Sequence, residues 1–121
     1  VGSGLTVSDG LVSVDSSSYV RSDGRPMKVF TGSVVRTVSA GGDSVVVFTN
    51  SQFVSKFGRP IVSEGEHADS VSFCNGDAAA NDAHIDGSSI WKSTGDVYAV
   101  LNKKMTENKD IRVNFIVVLG S

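Results

Sequence analysis

The chain has little cysteine, no long apolar run and little net charge, and each of these shortages excludes a class of structure or function. It has a single cysteine, Cys74, among 121 residues, so no disulfide can form within the chain. It has no run of about eighteen apolar residues, so we expect no membrane-spanning segment. Its formal net charge is only −2, which gives no general electrostatic reason to bind nucleic acid.

Leucine and alanine, both strong helix formers, are also scarce, whereas valine, glycine, serine, threonine, aspartate and asparagine are abundant. β-Branched residues favour strands, and the small polar residues favour turns. The composition therefore predicts an all-β domain, and the length fits one domain. The first residues lack the charged and apolar regions of a signal peptide, and the chain begins with Val1, so we expect a fragment or a processed form.

Apolar segments separated by turn residues predict seven or eight strands after residue 27. Hairpin turns are expected at Gly41-Gly42 and at Thr94-Gly95-Asp96. No amphipathic helix is predicted, and the regular spacing is typical of an antiparallel sandwich or barrel. The predicted strands are 28–39, 44–53, 57–65, 70–75 (with Cys74 expected to be buried), two within 90–102, and 111–120.

The last predicted strand is the most apolar segment of the chain. Alternate residues on one face are all apolar, and the other face carries Ile116 and Val118 beside polar residues. A strand that is apolar on both faces is expected to be covered on both sides. We expect one cover to be the facing sheet and the other to be a neighbouring subunit. The first face consists of Ile111, Val113, Phe115, Val117 and Leu119.

From residue 44 onward, the order of these features resembles the C-terminal head domains of bacteriophage tail fibres and receptor-binding proteins, and the H-type-lectin-like sandwich that some of those heads contain. The similarity is one of order, not of identical residues. It implies that residues 27–121 form an antiparallel β-sandwich head domain, located outside the cell at the tip of a virion tail fibre. The shared features are Phe53 and Phe57, an Arg-Pro before Ile61-Val62, a polar loop, Trp91, and a closing apolar strand.

Residues 2–18 contain two short apolar segments, GLTV and LVSV, separated by Asp-Gly. They resemble one repeat of a triple β-spiral, the fibrous shaft of some viral fibres. That resemblance implies a short shaft-like β segment and linker over residues 1–26, with three sister chains burying its apolar residues together. Because an isolated two-stranded hairpin is marginal in water, an edge hairpin packed on its own domain is the open alternative.

The segment from Glu64 to Ser89 is acidic, contains two histidines, and lacks lysine and arginine. A tryptophan ring packs on the apolar face of a sugar, and carboxylates accept hydrogen bonds from its hydroxyls. The candidate saccharide-binding residues are therefore Asp82, His84, Asp86 and Trp91. A solvated acidic loop with a structural tryptophan is the alternative. Calcium is a further option, although the spacing matches no EF-hand, and zinc is a weaker one.

No sequence motif for catalysis is present: there is no GxSxG, no HExxH and no phosphate-binding loop. We therefore expect neither an enzyme nor a cofactor, and a glycan-cleaving enzyme ranks third among the functions considered. The sequence favours a homotrimeric, host-receptor-binding tip domain that recognises cell-surface saccharide and assembles with other virion tail proteins. The alternative is a purely structural capsid or tail module.

Overall fold

The computed structural model describes residues 5–8, 11–20, 24, 26–76 and 83–120, which form strands and one short helix. Every strand pairing is antiparallel, so the predicted all-β, sandwich-like fold is confirmed. In chain order the elements are β1 (Leu5–Ser8), β2 (Leu11–Val20), β3 (Pro26–Val38), β4 (Ser44–Phe48), α1 (Asn50–Phe57), β5 (Ser70–Asn75), β6 (Ile85–Trp91), β7 (Asp96–Leu101) and β8 (Lys109–Leu119).

The strands form two sheets. The larger has the order β1-β2-β3-β8-β5, and the smaller has the order β4-β7-β6. The ladder between β3 and β8 is the longest, running from Lys28 opposite Leu119 to Val38 opposite Lys109. Six described strands from Pro26 onward are fewer than the seven or eight predicted.

The core lies between the inward faces of the two sheets. Alternation along β8 buries the predicted face completely, from Ile111 to Leu119. On the outward face Ile116 is 49% exposed and Val118 is half-buried, so a cover for this face by a neighbouring subunit stays a prediction. The smaller sheet adds the buried side chains Val47, Phe48, Val97, Ala99 and Leu101.

All six phenylalanines of the chain meet in one aromatic cluster in this core. Phe48 is central: its ring lies 5.4 Å from that of Phe57 and 5.1 Å from that of Phe115, both nearly edge-on. Edge-to-face contacts at these distances are favourable beyond the area they bury. The cluster joins the helix to both sheets.

The predicted strand 44–53 was wrong in its second half, where the chain forms α1. Thr49 caps the helix: its side chain accepts a hydrogen bond from the Gln52 N–H, and the Gln52 side chain accepts one from the Thr49 N–H. This capping box satisfies backbone donors that a strand would direct at a neighbour. Phe53 and Phe57, one helical turn apart, are both buried, and Gly58 ends the helix with φ 90°.

The predicted strand 57–65 was also wrong: after α1, residues 58–69 form a loop. The loop is organised by the Asp69 carboxylate, which is completely buried and forms a bidentate ion pair with Arg59 at 2.7 and 2.8 Å. The same carboxylate accepts the N–H of Val62 at 2.8 Å and that of Gly120 at 2.9 Å. Backbone groups that a strand would pair with a neighbour are therefore satisfied by one side chain.

Of the two predicted hairpin turns, only the one at Thr94-Gly95-Asp96 joins paired strands, β6 and β7. The turn at Gly41-Gly42 instead carries the chain from the larger sheet to the smaller one. It is fixed by Met105, whose carbonyl accepts the Gly41 N–H at 2.7 Å and whose N–H donates to the Gly42 carbonyl at 2.9 Å. Because a distant segment holds this turn, its local sequence did not reveal the crossover.

The backbone of β1 and β2 continues the larger sheet, since β1 pairs with β2 and β2 pairs with β3. This is the arrangement that the edge-hairpin alternative predicts. The shaft-like assembly of residues 1–26 from three chains stays a prediction.

Candidate functional site

The smaller sheet presents one face to solvent, and this face carries the tryptophan singled out by the sequence. Because successive side chains of a strand point to opposite faces, burial of Val97, Ala99 and Leu101 turns the alternate residues of β7 outward. The residues of β4 and β6 that are paired with these outward residues of β7 lie on the same face. We call the result the aromatic face, made up of Ser44, Val46, Gly87, Ser89, Trp91, Asp96, Tyr98 and Val100.

Trp91 and Tyr98 are the two aromatic residues of this face. Trp91 is 56% exposed, and its ring centroid lies 6.5 Å from that of Tyr98, with 50° between the ring planes. Tyr98 is paired with Ser89 on one side and with Val46, itself 40% exposed, on the other. The two rings and Val46 therefore form a row that crosses all three strands.

The charged groups beside Trp91 are held by specific partners. Asp96 lies directly opposite Trp91 in the hairpin, and its carboxylate accepts the N–H of Asn50 at 2.9 Å. Lys92 pairs with Glu64 at 2.7 Å on the surface. The Lys92 hydrogen bond, and then its charge, lower the pKa of Glu64, and the same contact raises the pKa of Lys92. The pair is thus mutually neutralised, which leaves Asp96 as the charged residue of the aromatic face without an ion-pair partner among the described residues.

Side chains tie the smaller sheet to the larger one at both of its edges. On one edge the Ser88 hydroxyl donates to the Val71 carbonyl at 2.8 Å. On the other, the Arg36 Nε donates to the Val47 carbonyl at 3.0 Å, and burial lowers the pKa of this arginine. These hydrogen bonds fix the smaller sheet, and with it the aromatic face, to the larger sheet.

The predicted site residues do not form one cluster. His84 and Asp86 do meet, with Nε2 2.8 Å from Oδ1, and both are well exposed. Trp91, however, lies five residues after Asp86 at the other end of β6, roughly 16 Å away at the usual rise of a strand. Asp82 lies outside the described residues, so its place in the group stays a prediction.

Sequence reasoning missed Tyr98 and Val46 as parts of the site. The signal for Tyr98 was present, because DVYAVL alternates and the turn at 94–96 was predicted correctly. Folding that hairpin in register brings Tyr98 diagonally beside Trp91. The signal for Val46 was absent, since its pairing with Tyr98 depends on the crossover at Gly41-Gly42.

A second surface feature lies on the outward face of the larger sheet, where β5 and β8 border a shallow depression of about 290 Å³. Cys74 is exposed here, so the expectation of a buried cysteine was wrong: it alternates with Phe73, which faces the core. Within the described ranges no three His, Cys, Asp or Glu side chains are grouped as metal ligands would be. The depression is lined by Ser72, Phe73, Cys74, Asn114, Phe115 and Ile116.

The chain matches no protein-family model, no curated protein and no solved structure at significant similarity. In the described part of the chain, no helix has the length and apolarity needed to cross a membrane. The exposed surfaces of the fold are therefore the basis for proposing a function.

Proposed function

We propose that this protein is the receptor-binding head domain of a bacteriophage tail fibre, which binds cell-surface saccharide through the aromatic face. The observation that carries the proposal is the exposure of Trp91 beside Tyr98 on a rigid sheet. An indole that is 56% exposed on a sheet face contributes less to folding than a buried one. It gains most when a flat apolar partner covers it.

A pyranose ring supplies such a partner. Its C–H face packs on the indole, while its hydroxyls need acceptors and donors at the rim of the contact. In the strand register Ser89 lies beside Tyr98 and Asp96 lies opposite Trp91, so the Ser89 hydroxyl and the Asp96 carboxylate oxygen that does not accept the Asn50 N–H are candidate partners for these hydroxyls. Because the strands already fix the rings, binding requires little ordering of the protein. Asp86 near the start of β6 and His84 just before it remain candidate contacts, and so does Asp82, which lies outside the described residues.

The homotrimer and the place in the virion tail rest on the resemblance to fibre heads. They are supported by apolar side chains on the outward face of the larger sheet, where Ile116 is 49% and Val35 43% exposed. Closed cyclic assemblies commonly bury such faces between identical subunits. We expect light scattering to give three times the mass of one chain at micromolar concentration, whereas the mass of a single chain would contradict the trimer.

The binding proposal predicts that Trp91→Ala weakens glycan binding without unfolding the domain. We expect its affinity for glycans that the parent protein binds to fall by about tenfold or more, the effect of roughly 1.4 kcal/mol. A glycan array, with circular dichroism to check the fold, makes the measurement. Val62→Ala, which truncates an exposed apolar side chain on the loop after α1, is the matched control and should bind as the parent protein does.

Two results would contradict this assignment. If Trp91→Ala binds every glycan as tightly as the control does, the aromatic face is not the binding site. If no glycan binds while the mass is that of a trimer, a structural tail or capsid module is the better description.

A further inference from the structure

Building on the proposed function, we infer that the aromatic face binds an interior segment of a neutral, α-linked saccharide chain that bends between Trp91 and Tyr98. Four features of the described residues support this: the length of the apolar row, the small size of its neighbours, the tilt of its two rings, and the charge around it.

The row Trp91–Tyr98–Val46 is longer than one sugar ring. The two ring centroids alone are 6.5 Å apart, and Val46 extends the row by one further strand, about 5 Å. A single pyranose covers one ring of this row and leaves the remainder in water. A chain of linked rings covers all of it.

The neighbours of the row are small, which favours the interior of a chain over its end. Gly87, Ser89 and Ser44 share the face with the rings and are too small to form a wall, and the larger Asp96 and Val100 are both half-buried. Recognition of a terminal sugar depends on side chains that enclose the last ring. An open sheet face instead lets the chain continue in both directions.

The tilt of the rings decides between two shapes of chain. With 50° between the planes of Trp91 and Tyr98, a flat ribbon can stack on one ring but not on both. β-1,4-linked glucose forms such an extended ribbon, whereas α-1,4-linked glucose curves from one ring to the next. The curved chain is the one that contacts both aromatic residues.

The charge of the site favours a neutral chain. Lys92 is neutralised by Glu64 at 2.7 Å, whereas Asp96, opposite Trp91, accepts the Asn50 N–H and has no ion-pair partner among the described residues. A polyanionic chain would be repelled by Asp96, whereas neutral hydroxyls can donate to it.

The experiment titrates the protein with two series of glucose oligomers that differ only in linkage: glucose to maltohexaose, and glucose to cellohexaose. Trp91 is the only tryptophan of the chain, so its fluorescence reports binding at the face directly. We expect affinity to rise by about tenfold or more from glucose to maltohexaose, and to rise much less in the cellulose series. Tyr98→Ala should remove most of the gain with length, whereas Val62→Ala, on the loop after α1, should leave it intact.

The outcomes separate the inference from the function on which it rests. Equal affinity for glucose and maltohexaose, equal or tighter binding of the cellulose series, or an unchanged length dependence in Tyr98→Ala would each overturn the inference and leave saccharide binding standing. Failure of both series overturns it as well. If the glycan array described above is also blank, the proposed function fails together with the inference.

Discussion

Phe48→Ala is expected to lower the free energy of unfolding by about 3–5 kcal/mol, among the largest effects of any single substitution in this domain. Phe48 is 1% exposed, and its ring contacts those of Phe53, Phe57, Phe73 and Phe115. Truncation removes the transfer free energy of the ring and leaves a cavity at the junction of the helix with both sheets. The neighbouring strands are fixed by their ladders, so they can collapse only partly into that cavity.

Chemical denaturation followed by circular dichroism measures this loss. Because typical domains are stable by only about 5–15 kcal/mol, Phe48→Leu, which refills part of the space, serves as a milder second variant. Val46→Ala is the matched control, since it lies on the same strand but is 40% exposed, and it should cost under about 0.5 kcal/mol. Equal losses for Phe48→Ala and Val46→Ala would show that the phenylalanine cluster is not the core of the domain.

Asp69→Ala is expected to destabilise the domain by about 3 kcal/mol, the lower end of the range for breaking a buried ion pair. The carboxylate is completely buried and accepts hydrogen bonds from the Arg59 guanidinium, from Val62 and from Gly120. Its removal leaves two backbone N–H groups without acceptors. The Arg59 side chain is 31% exposed and can turn to water, which keeps the cost at the lower end.

Denaturation again gives the size of the effect, and hydrogen exchange at the Val62 and Gly120 amides locates it. Both amides should exchange faster in Asp69→Ala. The control is Glu64→Ala, which removes a carboxylate from a fully exposed ion pair and should cause no measurable change in the free energy of unfolding. If the two variants were equally stable, Asp69 would not anchor the loop.

The pH dependence of this ion pair follows from its arginine. Hydrogen bonds to Asp69 raise the pKa of Arg59 above its ordinary value. A raised pKa of a cation contributes stability below the pKa of the unfolded chain, and that stability is lost only as pH rises through the folded value. The arginine therefore stays charged, and its contribution stays constant, across the whole neutral range.

How far the sequence predicts this fold depends on whether local pattern and tertiary packing agree. In β8 they agree: strict alternation from Ile111 to Leu119 matches a strand with one face in the core. The same holds for the hairpin of β6 and β7, where a turn joins two apolar segments.

Prediction failed where an apolar segment changed from the spacing of a strand to the spacing of a helix with no glycine or proline between the two. SVVVFTNSQF has no glycine or proline, so a continuous strand is the simplest interpretation of it. The change is marked only by Thr49 with Gln52 three residues later, and by the helical spacing of Phe53 and Phe57. The loop after α1 was missed because its organiser, Asp69, lies ten residues beyond Arg59 in an otherwise ordinary acidic segment.

The candidate site was predicted in part for a similar reason. Grouping residues by nearness in sequence joined Trp91 to Asp86, but five residues of extended strand separate them by roughly 16 Å. Tyr98 is further along the chain, yet the hairpin returns it to a ring distance of 6.5 Å from Trp91. In a β domain, strand register decides which side chains meet more than sequence distance does.

Binding of saccharide on the indole of Trp91 can be followed by the fluorescence of this single tryptophan. With labelled glycans from the array as titrants, the label signal measures binding and the indole emission shows whether the glycan lies on Trp91. We expect the Trp91 emission to shift to the blue, and acrylamide to quench it less, in proportion to the label signal. Saturable binding of the label with an unchanged Trp91 emission and unchanged quenching would contradict this expectation.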